Sequence, residues 1–281
     1  MFATLALGSA VLYGAADFIG GMTSRRADTI AIVLVSQAAG LVLVSLLLLL
    51  TATSLPGGSD WLWGGLAGLA GGIGVGLLYR ALAVGVMAVV APITAICAVI
   101  VPVVSAVGLG ERPAIREGLG ITLAMVAIFF VSQQDSSGAH PGLALRRSSG
   151  IGLALAAGVA IGFFFLALAN TTPGAGLWPL LAARGASVTL FAAVAILTRR
   201  SLRMERSLAL SAMAGGVLDM LANLLYLLAT RRGPLSLAVT LSSLYPASTV
   251  MLARIVLDER LTTRQWAGVL LALVAIVLIV G

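Results

Sequence analysis

Charged and polar side chains buried inside long apolar runs are where this sequence has chemistry to do. Each charge costs at least about 2.5–3.5 kcal/mol to place in hydrocarbon, so each needs a partner, a route to water or a function. Asp219 lies near the middle of one run, with Asn223 four residues on and Tyr226 seven, so the three share one helical stripe. The stripe reads either as a substrate-facing wall or as a structural ion pair or hydrogen-bond knot. Arg184 lies centrally in the run before it. It can neutralise Asp219 or Asp17, or grip a substrate carboxylate with two parallel hydrogen bonds. Asp17 sits one or two turns from the end of the first run, with Tyr13 four residues before it, and Gln37 lies in the second run. Tyr245-Pro246 falls mid-run in the ninth, where a proline frees a carbonyl and kinks the helix; in membranes such breaks line cavities. Pro92 and Pro102 do similar work in the fourth. Arg80 is close enough to a run end to snorkel. The depth of Asp219 and Asp17 suits an acid that takes a proton or a substrate amino group.

Nothing in the sequence adds a catalytic set to these residues. No nucleophile–base pair stands out, and the serines are scattered without a histidine in a run to activate them. His140 is the single histidine and lies in a polar loop; Cys97 is the single cysteine and lies in an apolar run, so neither a zinc site nor an internal disulfide is expected. The expectation is a chain with no enzymatic activity and no metal, nucleotide or haem cofactor. The alternatives are a polytopic membrane enzyme of the acyl- or glycosyl-transfer kind, a non-transporting membrane scaffold and a channel.

The elements that must position these residues are membrane spans. The chain has 281 residues, 60% hydrophobic and only 10% charged, where soluble domains have about 25% charged. Mean hydropathy is +1.12 and the pI about 11.0. The net charge of +7 comes from arginines set mostly in short loops between apolar runs, the placement of topology determinants and lipid-headgroup contacts, which argues against nucleic acid. Ten runs approach the roughly 20 residues needed to span: about 2–22, 28–52, 61–84, 86–109, 115–133, 150–170, 176–198, 207–229, 234–257 and 263–281. The first lacks a basic leader and reads as a retained helix. The polar, Gly/Pro-rich stretch from Gln133 to Gly142 divides them into a first unit of five (1–133) and a second (150–281), with a linker over 134–149.

The two units are one unit written twice. Tyr79 is followed by an apolar run, then Gly110-Glu111-Arg112, Arg116 and Gly120; Tyr226 is followed by an apolar run, then Asp258-Glu259-Arg260, Arg264 and Gly268. An odd number of spans followed by its copy inserts the copy upside down, so the expected fold is an all-α membrane protein of ten transmembrane helices arranged as two inverted five-helix repeats. Such repeats are the usual sign of a transporter that binds near the bilayer centre. Gly64, Gly68, Gly72 and Gly76 line one face of the third run at four-residue spacing, which suits close packing or a cavity wall.

With these residues in view, the chain resembles the EamA-type members of the drug/metabolite transporter superfamily. The Glu-Arg tails, Tyr13-Gly14, Tyr79-Arg-Ala-Leu82, Arg184 and Tyr245-Pro246 carry the resemblance across essentially the whole chain as two EamA units. It implies a ten-helix bundle in the cell membrane with a central cavity, exporting or exchanging small metabolites, commonly amino acids or their derivatives. The chain departs from the pattern at Gln37, often arginine in the first unit, and at Cys97-Ala98 and Ile161-Gly162, where the other unit has Tyr245-Pro246 and Tyr13-Gly14. Family members are drawn with both termini in the cytoplasm, whereas the loop arginines count 10 to 4 for the reverse, leaving orientation open. The expected substrate-binding set is Asp219, Asn223, Tyr226 and Arg184, backed by Asp17, Tyr13, Gln37 and Tyr245. The expected partners are a small-molecule substrate and the lipid bilayer, with a coupling proton and a monomer or homodimer both open.

Overall fold

The structure is a computed structural model, which describes residues 1–51, 55–85, 87–131, 142–257 and 262–280. Eleven α-helices account for nearly all of them: α1 (Phe2–Ser24), α2 (Thr29–Leu50), α3 (Gly58–Val84), α4 (Met87–Gly108), α5 (Ile115–Val131), α6 (Gly142–Ala169), α7 (Trp178–Leu197), α8 (Arg206–Thr230), α9 (Leu235–Ser242), α10 (Tyr245–Leu257) and α11 (Thr263–Val280). No strand occurs among the described residues. Among the described residues, eight helices are long and apolar enough to cross a membrane: α1, α2, α3, α6, α7, α8, α11 and the Val90–Gly108 part of α4. Among the sequence expectations, His140, most of the polar stretch from Gln133 and the Asp258-Glu259-Arg260 tail lie outside the described residues.

The ninth run differs from expectation. Instead of one proline-kinked helix it forms two, α9 and α10, separated at Ser243 and Leu244. Pro246 therefore sits in the first turn of α10, where its missing N–H costs no helical bond. Pro92 and Pro102 lie within a continuous α4. There the Ala98 carbonyl, which loses its helical donor to Pro102, lies beside Gly162 of α6. Helix α6 also begins at Gly142, inside the stretch expected to be linker.

Helix packing follows the sequence repeat. α1 lies along α8 and α3 along α6, α3 packs on α7 and α8 on α2, and α4 meets α6 as the α9–α10 pair meets α1. Contacts at single residues repeat too. A Cβ on Gly68 would lie 2.0 Å from the Ala183 carbonyl oxygen, and one on Gly216, 148 positions later, would lie 2.0 Å from that of Ser36. Gly14 meets the Tyr245 carbonyl and Ser248, while Gly162, again 148 later, meets the Ala98 carbonyl and Val101. The stripe of Gly64, Gly68, Gly72 and Gly76 faces Pro179, Ala183, Ser187 and Phe191 of α7. Close packing is thus its first role, as small residues allow between helices that cannot rely on a hydrophobic drive in lipid.

The repeated tails also have a structural function in the half that is described. Gly110 (φ 100°) turns the chain after α4. Glu111 then accepts hydrogen bonds from the Ser236 hydroxyl and from its N–H (3.2 Å). This caps the N-terminus of α9, in the opposite half, and satisfies a donor that the short helix would otherwise leave open.

Gly68→Val and Gly216→Val are expected to lose the monodisperse folded peak in detergent or to lower its thermal midpoint, since overpacking costs about 1–3 kcal/mol and here meets backbone. Gly65→Ala, which meets open space, should leave the midpoint unchanged or raise it slightly.

Candidate functional site

Arg184 holds the polar centre of the bundle together. It is 5% exposed, and each of its three guanidinium nitrogens donates to a different partner. Nη2 pairs with the Asp219 carboxylate, Nη1 donates to the Gln37 side-chain oxygen, and Nε lies 3.4 Å from the Met220 sulfur. The Ser187 hydroxyl, one turn on, donates to the same Gln37 oxygen at 3.1 Å. Gly40 leaves space for the guanidinium: a Cβ there would stand 3.1 Å from Nε. α7, α8 and α2 are joined at one point by this arrangement. Gln37 stands 147 positions before Arg184, so residues equivalent in the two units bond to each other.

The network continues to α1. Asn223 donates to the Asp219 carboxylate at 3.2 Å and to its backbone carbonyl at 2.8 Å, and accepts from the Tyr13 hydroxyl at 2.5 Å. One turn beyond Tyr13, Asp17 is half-buried and has no hydrogen-bond or ion-pair partner among the described residues. Tyr245 packs edge-on against Tyr13 with ring centroids 6.4 Å apart, and its buried hydroxyl is also without a partner among the described residues.

These groups line one cavity between the halves. Tyr13, Asp17, Gln37, Arg184, Asp219, Asn223 and Tyr245 all face it, with Ser187 beside Gln37. Its remaining wall is apolar, built from Ile161, Phe164 and Phe165 of α6 and from the Ala67–Leu78 part of α3, including Gly68 and Gly72. The glycine stripe therefore does both things expected of it. Tyr226 is placed elsewhere: fully buried, it stacks on Phe165 at 4.5 Å and donates to the Phe165 carbonyl at 2.9 Å, behind the wall. Tyr79, 147 positions earlier and one residue out of register with it, directs its hydroxyl to the Ala16 carbonyl at 3.5 Å and lies over Gly20. Each repeated tyrosine thus bonds the first helix of its own half. Arg80 is exposed.

A second polar cluster went unnoticed in the sequence. Asp60, buried in the first turn of α3, accepts from the Thr172 N–H (2.7 Å) and hydroxyl (2.9 Å) in the loop after α6. Arg231, just past α8, donates to the carbonyls of Thr172 (3.2 Å) and Gly176 (2.9 Å). Burial draws the Arg231 guanidinium below its ordinary pKa, and the charge of Asp60 opposes that shift. The cluster ties one end of α3 to α8.

The duplication and this geometry agree with the comparisons. The EamA-like transporter family model matches residues 1–133 and 148–281. The chain belongs to that family. EamA is a transporter family of multi-pass membrane proteins, which here provides a small-molecule substrate and a bilayer as partners. A solved structure described only as the crystal structure of a protein is similar in fold, with a TM-score of 0.76 at 17% identity over 99% of this chain and 96% of its own. A search of curated proteins finds no significant match.

Breaking a buried pair by removing one partner costs about 3–5 kcal/mol, much of it from the charge left behind. Arg184→Ala should therefore lower the thermal midpoint more than Arg184→Met combined with Asp219→Leu, which leaves no stranded charge. A full double-mutant cycle, read by thermal unfolding in detergent, measures the coupling.

Proposed function

We propose that this EamA transporter is a secondary carrier that moves a small polar or amphipathic metabolite across the cytoplasmic membrane by alternating access, in export or exchange. The carrying observation is the cavity, in which a polar network deep in the spans meets an apolar wall and both halves contribute. A site at the meeting of two repeats is where such carriers bind substrate.

The working architecture is ten spans in two inverted units, 1–133 and 150–281, joined by the linker 134–149. Support for the two spans beyond the eight comes from α5, which packs along its repeat counterpart α11, and from α9 with α10, which together occupy the ninth run. Five spans per unit would turn the second unit over, and the exchanged packing of α1 on α8 and α3 on α6 suits a pseudo-two-fold axis in the membrane plane. Rocking one unit on the other would then open the cavity to each side in turn, driven by an ion gradient or by the substrate's own.

Counterflow in proteoliposomes tests this reading. With 2-phenylethylammonium, phenylalanine and threonine as labelled probes, preloading with the same compound should accelerate uptake of at least one of them, and that uptake should saturate. Flux that rises linearly with concentration without trans-stimulation would indicate a pore. Flux equal to that of empty liposomes for all three would contradict the reading.

A further inference from the structure

Of the three acidic or basic side chains that line the cavity, two are paired with each other. Arg184 is committed to Asp219, Gln37 and Met220, and Asp219 to Arg184 and Asn223. Asp17 is left as a carboxyl group on the cavity wall with no partner among the described residues, and Tyr245, 3% exposed and also on that wall, holds a buried hydroxyl with no partner among them. The two belong to one corner, since Tyr13 lies one turn from Asp17 on α1 and packs edge-on against Tyr245 of α10. An unpaired carboxyl group and an unpaired buried hydroxyl, on residues of one cavity whose apolar wall includes Ile161, Phe164 and Phe165, describe the ligand that would complete them.

We infer that Asp17 and the Tyr245 hydroxyl form the receptor for a protonated primary amine carried on an apolar body, and that a free carboxylate on the same molecule weakens binding. The inference deepens the carrier reading above and rests on it. A primary ammonium has three N–H donors, enough to serve both groups, with a charge-assisted bond to Asp17. The Tyr13 and Tyr245 rings beside it add π faces that attract a cation. A quaternary ammonium keeps that attraction but cannot donate, so the Tyr245 hydroxyl and Asp17 lose their hydrogen bonds. A calcium or magnesium ion prefers six or more oxygen ligands, more than one carboxylate and a phenol supply. A carboxylate would find Arg184 already occupied and would stand near the charges of Asp17 and Asp219.

Isothermal titration of the detergent-purified full chain compares four probes that share a phenyl ring: 2-phenylethylammonium, its N,N,N-trimethyl derivative, phenylalanine and phenylacetate. The primary amine should bind at least about tenfold more tightly than each of the others, the scale of one charge-assisted hydrogen bond. Asp17→Asn should remove at least about tenfold of that affinity and Tyr245→Phe a smaller part, while neither should weaken the binding of phenylacetate. The comparison among probes on the unaltered protein stands even where a variant fails to fold. Phenylalanine bound as tightly as the amine, or affinity for the amine unchanged in Asp17→Asn, overturns the inference and leaves the carrier reading intact. An amine bound as described, with flux of all three labelled probes equal to that of empty liposomes, refutes the carrier reading and leaves the site in place.

Discussion

One guanidinium in the middle of a membrane protein has to be fully satisfied, and the rest of this structure is arranged around that requirement. In a low-dielectric centre an unpaired guanidinium charge is prohibitive. Asp219 supplies the opposite charge, while Gln37 and Met220 take the remaining directions of the planar group. Because those partners lie on α2 and α8, and Arg184 itself on α7, one side chain fixes the mutual position of three helices. Asn223 and Tyr13 extend the same network to α1. The chemistry open to a ligand is what this network leaves unused, namely Asp17 and the hydroxyl of Tyr245.

Such a network needs backbones closer than ordinary side chains allow. Gly68 against Ala183 and Gly216 against Ser36 bring α3 to α7 and α8 to α2 at one residue each. These are equivalent positions of the two units, and so are Gly14 and Gly162 against the ninth-run and fourth helices. The packing skeleton is therefore duplicated, but the polar groups are not. Asp219 stands where the first unit has Gly71, Asn223 where it has Val75, and Asp17 where the second has Phe165. A symmetric frame with an asymmetric lining gives each side of the cavity its own character, with acids and amides on α1 and α8 and a smooth aromatic and glycine wall on α6 and α3.

Much of this could be read from the residues. The repeat is visible in tails 148 positions apart, and the cost of a lone buried charge calls for a partner to Arg184, for which the sequence offers Asp219, Asp17 or a substrate carboxylate and the structure gives Asp219. Gly64 to Gly76 announce a close helix contact through spacing alone. Other features could not be read because they depend on the third dimension. Tyr226 shares a stripe with Asp219 and Asn223, yet seven residues of rise carry it past the cavity to the Phe165 carbonyl. Asp60 looks like a loop residue in sequence, and only the return of the chain after α6 buries it against Thr172. Ser187 had a signal in its place three residues after Arg184, on the same helical face. The break at Ser243–Leu244 has no sequence signal of its own, because Pro246 is as compatible with a kink inside one helix as with the first turn of a new one.

The central claim is that Arg184 and Asp219 form a closed pair and Asp17 is the acid left to the ligand. Infrared difference spectra recorded on adding 2-phenylethylammonium to the reconstituted protein read the perturbed carboxylate directly. The account predicts a carboxylate difference band that persists in Asp219→Asn and vanishes in Asp17→Asn. A band that vanishes in Asp219→Asn and persists in Asp17→Asn would contradict it.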